Sequence, residues 1–418
     1  MFMCSESILY RFVIFGVVAV GVSLIVSGCA STDEEEPPRT DLECDCSVSP
    51  NIAALPSLEG RAASIGPDIR LDQRPAPSQF RAKLVEASLL VRADEARRQF
   101  NVNGKGLTAA VLDTGIRRTH ADFGNRVLAV RNFTSGDPNA ANDNQGHGTH
   151  VAGVVAANGP HTGLAPGANL VALKVLADDG SGDFEWLADA LQWVLDNAEQ
   201  HRITVVSMSL GANVNLTSDN PSTWPELSRR IQNLVRELTN RRIPVVMAAG
   251  NSFYDFESVQ GMSFPSIIRE GISVAAVYDD DVGPRAYGSG AEATATGKDH
   301  ISPFTQRLHP CVNEATRTDI FAPGAPMTST GIQTDRGEAT MSGTSQATPT
   351  ITGVVLLLQE YYLRRTGNLP TVEQLTRWLR TGGVMIIDGD NEKNNVRATG
   401  CDFLRVDAVN ALSEASHE

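Results

Sequence analysis

Two spacings of hydrophobic residues follow one another along the chain from about residue 87 onward. Short runs that are almost wholly apolar predict buried strands, and stretches with an apolar residue every three or four positions predict helices with one buried face. The helical pattern is clearest at 184–200 and 227–238. The predicted strands lie at 107–112, 169–176, 203–210, 243–249 and 272–277.

This alternation of apolar strands and amphipathic helices is typical of a parallel sheet that is covered on both faces. We therefore predict an α/β fold with a doubly wound, mostly parallel sheet and helices on both of its faces. In open sheets of this kind, active sites lie beyond the carboxyl ends of the strands. Asp113 and Asn251 each follow a predicted strand, so we expect both at that edge of the sheet.

The first 28 residues have the pattern of an export signal. Residues 12–26 form an unbroken apolar run that is too short to cross a bilayer comfortably. Two small residues then precede Cys29, which resembles the lipobox of bacterial lipoproteins, in which the cysteine carries the lipid. The resemblance implies lipidation of Cys29 and a lipid-anchored location in the bacterial cell envelope. Ala30 after the cysteine is compatible with the outer membrane, on its periplasmic or its external face. An ordinary signal peptide or an uncleaved anchor is the alternative.

Residues 29–87 differ in composition from the rest of the chain. They are rich in proline, contain the acidic block 33–36 and show no sustained apolar spacing. Such a segment buries too little apolar surface to offset the entropy lost on ordering. We predict an extended tether, with a short pro-region as the alternative. The folded domain is then expected to span residues 88–418.

The charge of the chain excludes one class of partner. Its formal net charge is −14, with 35 basic and 49 acidic residues. Phosphate backbones require a basic binding face, so we do not expect nucleic acid to bind. The sequence does not indicate an oligomeric state.

Four cysteines follow the proposed lipidation site, in what would be an oxidising compartment. They are Cys44, Cys46, Cys311 and Cys401, and they allow three pairings. A bond between Cys44 and Cys46 would be strained, because only one residue separates them. We expect a bond between Cys311 and Cys401, while the other pairings stay open.

Three motifs carry candidate chemistry: 110–115 (AVLDTG), 146–153 (GHGTHVAG) and 342–349 (SGTSQATP). A serine hydroxyl such as that of Ser345 is a weak nucleophile until a base removes its proton. The imidazole of His147 titrates near neutrality and suits that task, and a carboxylate such as that of Asp113 can hold its other nitrogen. Taken singly, each has a plain interpretation as a turn residue, a buried histidine or a helix cap.

Together with residues 248–252 (AAGNS), these motifs resemble the signatures of the subtilisin family of serine proteases, in the family's chain order, over about residues 88–412. The resemblance implies a subtilisin-like fold and a serine endopeptidase that acts through an acyl-enzyme. Asp113, His147 and Ser345 would form the catalytic triad, and Asn251 would donate to the oxyanion. In the family, the second histidine of the motif, here His150, is structural.

The resemblance also implies how a polypeptide substrate binds. Residues 207–211 would pair with an extended peptide, and small side chains near Asn251 would line the primary pocket. No acidic residue is identifiable there, so we expect a preference for uncharged, mainly apolar side chains. The implied substrate-binding residues are Ser209, Leu210, Gly211, Ala248, Ala249, Gly250 and Ser263.

Two positions depart from the family. Relatives usually carry Met where this chain has Gln346, and His where it has Thr350. Neither position performs the acyl transfer, so we expect activity. Two alternatives stay open: a catalytically inactive, lipid-anchored protein that binds peptides, and a transpeptidase or peptide cyclase on the same scaffold.

The predicted chemistry requires no metal or organic cofactor. His147 and His150 lie three residues apart, whereas a zincin motif needs a spacing of four and an intervening glutamate. The acidic segment 388–392 suggests a structural calcium site. It lacks the glycine at position six and the glutamate at position twelve of an EF-hand loop, so a solvated turn is the favoured interpretation.

Overall fold

A computed structural model describes residues 43–47, 62–64 and 84–418, apart from residues 221 and 223. The predicted signal peptide over 1–28, the lipidation site Cys29 and most of segment 29–87 lie outside the described residues. The helices are α1 (Leu84–Leu90), α2 (Ala93–Phe100), α3 (His147–Ala156), α4 (Phe184–His201), α5 (Glu226–Asn240), α6 (Thr344–Thr366), α7 (Val372–Thr381) and α8 (Ala408–Ser416).

The strands are β1 (Ala62–Ser64), β2 (Thr108–Asp113), β3 (Val127–Asn132), β4 (Asn169–Lys174), β5 (Ser181–Asp183), β6 (Ile203–Met208), β7 (Val245–Ala248), β8 (Ile272–Tyr278), β9 (Arg285–Ala286), β10 (Glu292–Ala295), β11 (Ile320–Ala325), β12 (Met327–Gly331), β13 (Gly337–Met341), β14 (Val384–Ile387), β15 (Lys393–Asn394) and β16 (Asp402–Arg405).

One large sheet organises the described part of the chain. Its strand order is β14-β16-β11-β8-β7-β6-β2-β4-β3. Every neighbouring pair in it is parallel except β14 with β16, which is antiparallel. The strand order reverses beside β2, and such a switch point opens a crevice at the carboxyl ends of the strands. The predicted mostly parallel sheet is confirmed.

The central strands are mostly apolar because helices cover both faces of this sheet. Along β2, Ala109 and Val111 pack into the cluster that includes residues of α3 and α6. Ala110 and Leu112 point the other way and pack with residues of α4 and α5. The predicted doubly wound arrangement is confirmed by these two clusters.

The cysteine pairing differs from our expectation. Cys401 bonds to Cys44, and Cys311 bonds to Cys46, so the expected bond between Cys311 and Cys401 is wrong. Residues 43–47 lie against the domain: the Asp45 N–H donates to the Thr399 carbonyl over 2.8 Å. Because Cys44 and Cys46 flank this docked residue, each meets a different cysteine of the domain. The strained bond between Cys44 and Cys46 does not form.

The acidic segment 388–392 is only partly solvated, with Asp390 and Asn391 exposed. Asp388 is buried, and both of its carboxylate oxygens accept hydrogen bonds from the buried guanidinium of Arg307. The carboxylate of half-buried Glu392 accepts from the N–H groups of Ile301 and Gly389. The carboxylates of Asp388 and Glu392 therefore accept hydrogen bonds within the protein, and the solvated-turn interpretation is wrong for Asp388.

None of the helices among the described residues is both long enough and apolar enough to span a bilayer.

Candidate active site

Four loops bring polar residues to the carboxyl edge of the sheet. Asp113 is the last residue of β2, Ser209 follows β6 directly, and Asn251 lies three residues beyond β7. Ser345 is the second residue of α6, which crosses this edge from the β12–β13 hairpin. The expected position of Asp113 and Asn251 is therefore confirmed.

Asp113 and His147 form a buried hydrogen-bonded pair. The imidazole Nδ1 lies 2.7 Å from the carboxylate Oδ1, and neither side chain is more than 1% exposed. The Thr114 N–H also donates to this oxygen, which holds the carboxylate in place. With the Nδ1 proton committed to Asp113, neutral His147 carries its lone pair on Nε2. That atom has no hydrogen-bond partner among the described residues.

Two glycines let the pair approach so closely. Gly115 has a φ of +114°, in the region that favours glycine, and a Cβ atom there would overlap the Ala141 carbonyl. A Cβ atom on Gly148 would clash with the Gly115 carbonyl oxygen. The first turn of α3 therefore rests directly on the loop after β2, and His147 reaches Asp113.

Asp143 positions this turn, although no motif in the sequence singled it out. Its carboxylate accepts from the N–H groups of Gly146 and Thr149 over 2.7 and 2.8 Å, at the start of α3. It also accepts from the hydroxyls of Thr114 and Thr149, which joins the loop after β2 to α3. An aspartate shortly before a helix is a recognised start signal, but the polar loop around it offers several similar residues.

Two hydrogen bonds join Ser345 and Ser209. The Ser345 hydroxyl donates to the Ser209 carbonyl over 3.1 Å, and the Ser209 hydroxyl donates to the Ser345 carbonyl over 2.7 Å. In a regular helix the Ser345 carbonyl would accept a hydrogen bond from the N–H of the residue four positions later. That residue is Pro349, which has no N–H. Ser209 supplies the missing donor, and this holds the first turn of α6.

Asn251 is oriented by the residue before Ser345. Its side-chain oxygen accepts from the N–H of Thr344 over 2.8 Å and from the Thr344 hydroxyl over 2.9 Å. With the oxygen occupied, the Asn251 amide nitrogen is the donor left for the cleft. The Ser345 N–H lies in the first turn of α6, where backbone N–H groups have no acceptor within the helix.

His150 occupies a different environment from His147. It is fully buried, and burial lowers its pKa to about 3, so the ring is neutral across the physiological range. Its Nε2 lies 3.0 Å from the Met327 carbonyl, which can only accept. His150 is therefore a neutral donor that joins α3 to β12.

A small cavity opens beside Ser345, with a volume of about 30 Å³. Five of the seven implied substrate-binding residues line it; Ser209 instead contacts Ser345, and Ala249 packs into an apolar cluster with Ala275 and Phe321. The cavity also has Gln306 in its wall, a residue that sequence reasoning missed because no local pattern distinguishes it. The five lining residues are Leu210, Gly211, Ala248, Gly250 and Ser263.

The chain itself lies in this cleft. Ser64 exchanges two backbone hydrogen bonds with Gly211, each 3.0 Å long, and β1 pairs antiparallel with β5 on its other side. Ser64 also lines the cavity beside Ser345. An extended backbone thus adds to the edge that we expected to bind a peptide, and part of the segment predicted as a tether is in contact with the domain.

The two departures from the family lie in α6 beside the cleft. Gln346 and Thr350 are fully buried. Neither the side-chain oxygen of Gln346 nor the hydroxyl of Thr350 has a hydrogen-bond partner among the described residues.

A parallel sheet with a buried Asp–His pair and a serine at a helix start is the arrangement of a serine peptidase. The model of the subtilase family matches residues 104–383, and the chain belongs to this family. It is a serine-type endopeptidase, a hydrolase of polypeptides, with the α/β subtilisin fold.

Three relatives illustrate the similarity. The "Major intracellular serine protease" of Bacillus subtilis (strain 168) is 32% identical over 286 residues, which cover 67% of this chain and 76% of that protein. "Serine protease AprX" of the same strain is 30% identical over 335 residues, 75% of this chain and 69% of that protein. "Alkaline serine exoprotease A" of Vibrio alginolyticus is 32% identical over 261 residues, 62% of this chain and 40% of that protein. One relative is named intracellular and another an exoprotease, so the family does not define a location.

Proposed function

We propose that Asp113, His147 and Ser345 act as a catalytic triad that hydrolyses peptide bonds through an acyl-enzyme. The observation that carries this proposal is the buried 2.7 Å contact between Asp113 and His147, which leaves Nε2 of His147 as the available base. For attack, the Ser345 hydroxyl has to exchange its hydrogen bond to the Ser209 carbonyl for one to that nitrogen. His147 takes the proton as Ser345 attacks, and then passes it to the leaving amine.

We assign two hydrogen-bond donors to the negative charge of the tetrahedral intermediate. They are the side-chain amide of Asn251 and the backbone N–H of Ser345, and both would stabilise that charge. The contacts of Asn251 with Thr344 support this assignment because they leave the amide nitrogen free. Loss of one such donor typically costs about 2.7–4 kcal/mol of transition-state stabilisation. Water then attacks the ester on Ser345 with His147 as base. All these groups belong to the chain, and the steps use no cofactor.

Labelling with a fluorophosphonate tests the proposal, because this reagent reacts with an activated serine. We expect covalent labelling and peptide hydrolysis by the protein, and neither by the Ser345→Ala variant. Folded protein that is not labelled would favour the peptide-binding alternative. Mass spectrometry of the products, with an acceptor amine present, distinguishes hydrolysed from joined peptide; mostly joined product would favour the transpeptidase alternative.

We further propose that the cavity beside Ser345 accepts the side chain that precedes the scissile bond, and that it prefers small residues. The cavity measures about 30 Å³ with Ser64 of β1 in its wall, so the restriction on size that remains once β1 is displaced depends on fixed walls such as Gln306. Gln306 is held in its wall, since its amide nitrogen donates to the Val214 carbonyl and to the side-chain oxygen of Asn215. The Gln306 N–H also donates to the Gly250 carbonyl. The preference therefore combines the expected uncharged character with a restriction on size.

Gln306→Ala is expected to relax this restriction. The ratio of kcat/KM for phenylalanine against alanine before the scissile bond should rise about tenfold or more, because removed side-chain atoms enlarge the pocket. Gln306→Met is the matched control: it keeps the volume and should keep the preference for small residues. Kinetics on two peptides that differ only at this position measure the ratio, and an unchanged ratio in the alanine variant would refute the assignment.

We propose that Cys29 carries lipid and anchors the protein in the bacterial envelope, at the outer membrane. The apolar run and the small residues before Cys29 support this. Two or more acyl chains give stable anchoring, since each buried methylene adds about 0.8 kcal/mol. Labelled palmitate should be incorporated by the protein but not by the Cys29→Ser variant. Equal labelling of the two would exclude Cys29 as the site.

We also propose that segment 29–87 serves as a short pro-region, and that β1 inhibits the intact chain. The support is that β1 takes the position along Gly211 that a substrate strand needs. A peptide substrate has to displace it before it can reach Ser345.

A further inference from the structure

Two disulfides attach residues 43–47 to the catalytic domain at separate points. Cys44 is bonded to Cys401, and Cys46 to Cys311. The same segment is held by its backbone, since the Asp45 carbonyl accepts from the side chain of Gln260 over 2.6 Å. The attachment therefore does not depend on the peptide chain that leads from residue 47 to α1.

Along the chain, strand β1 lies between the disulfide-bonded residues 43–47 and helix α1. Ala62 is 16 residues after Cys46, and Leu84 is 20 residues after Ser64. On its amino-terminal side, β1 is joined to the domain through the cystines. On its carboxyl-terminal side, it is joined through the peptide chain to α1. The strand thus has two covalent connections to the domain whose cleft it occupies.

We infer that the two disulfides keep β1 in the cleft after a single cut in the chain between residue 47 and residue 84. This inference rests on the proposed function of the cleft. Hydrolysis of one peptide bond there adds one water, creates a carboxylate and an amine, and leaves both S–S bonds intact. A cut before β1 leaves the connection through α1, and a cut after it leaves the connection through the cystines.

A retained strand still competes with substrate. Connections of 16 and 20 residues keep β1 at an effective concentration on the order of millimolar, independent of dilution. One cut is therefore not an activating event. Activation requires cuts on both sides of β1, or a cut after β1 together with the opening of both disulfides. The same bonds keep the proposed lipid on Cys29 joined to the domain.

The two disulfides differ in accessibility. Cys46 and Cys311 are exposed, whereas Cys401 is buried and Cys44 is half-buried. A reductant in solution should therefore open the Cys46–Cys311 bond first. Because the Cys44–Cys401 bond is protected, mild reduction leaves the segment attached.

The first experiment tests retention without any need for catalysis. The full chain carries Ser345→Ala, so that it cannot cut itself, and a recognition sequence for a site-specific protease replaces residues 72–78. After cutting, we expect one species on a denaturing gel without reductant and two fragments after full reduction. The pair variant Cys46→Ser with Cys311→Ser should stay joined, as should Cys44→Ser with Cys401→Ser. A fragment that separates from the cut, oxidised chain would overturn the inference.

The second experiment measures inhibition in the same chain with Ser345 present. The cut, oxidised protein should hydrolyse a dilute peptide substrate at least about tenfold more slowly than the cut variant that lacks all four cysteines. If the variant without the four cysteines folds poorly, the cut protein can instead be compared before and after full reduction of its disulfides. Equal rates would refute retention as an inhibitory device. An absence of Ser345-dependent hydrolysis in every sample would instead refute the proposed protease, and the gel result would still stand.

Discussion

Asp113→Asn is expected to lower kcat by about 10⁴-fold while the fold is preserved. The substitution keeps the shape of the side chain, but it removes the negative charge 2.7 Å from Nδ1 of His147. That charge stabilises the imidazolium that forms when Ser345 loses its proton, and the pair is buried, so solvent screens it little. Steady-state kinetics on a peptide substrate measure the effect.

A second aspartate–histidine pair provides a matched control. Asp122 is buried, and its carboxylate lies 2.8 Å from Nδ1 of His161, but it does not line the cavity beside Ser345. Asp122→Asn should leave kcat within a few-fold of the original value. Thermal unfolding of both variants separates a loss of catalysis from a loss of folded protein. If Asp113→Asn retained more than a tenth of the activity, the proposed role of Asp113 would be wrong.

Asp388→Ala is expected to reduce the free energy of unfolding by about 3–5 kcal/mol. The change leaves the guanidinium of Arg307 buried, only 1% exposed, and without its carboxylate. Arg307 would keep its contact with the Phe253 ring, 3.6 Å from the ring centroid, and its hydrogen bond to the Thr305 carbonyl. Those contacts do not neutralise its charge. Denaturant unfolding measures the loss.

Two further variants show whether the unpaired charge causes this loss. Glu185→Ala breaks the exposed ion pair with Arg230 and should cost less than about 1 kcal/mol, because solvent screens that pair. Replacing both members of the buried pair, as Arg307→Met with Asp388→Leu, should recover most of the stability, since no charge is then left buried. A loss below 1 kcal/mol for Asp388→Ala would show that Arg307 finds another partner or reaches water.

Some structural features could be predicted from the chain because their signals are local. The five predicted strands and the two predicted helices depend on the spacing of apolar residues within one segment, and each has a counterpart in the structure. Strand β3 escaped prediction because its apolar run is only four residues long, from Val127 to Val130, and Arg131 and Asn132 follow it. The candidate triad was found because its three residues lie within short motifs that can be read without knowledge of the fold.

The sequence by itself therefore determined the fold class, the family and the residues with candidate chemistry. The tertiary structure alone decided the cysteine pairing, the burial of Asp388 and the place of Gln306 in the cavity wall. It also decided that β1 lies along Gly211. Each of these is a contact between segments far apart in the chain. Such contacts depend on which loops meet at the edge of the sheet, and no local periodicity encodes that meeting.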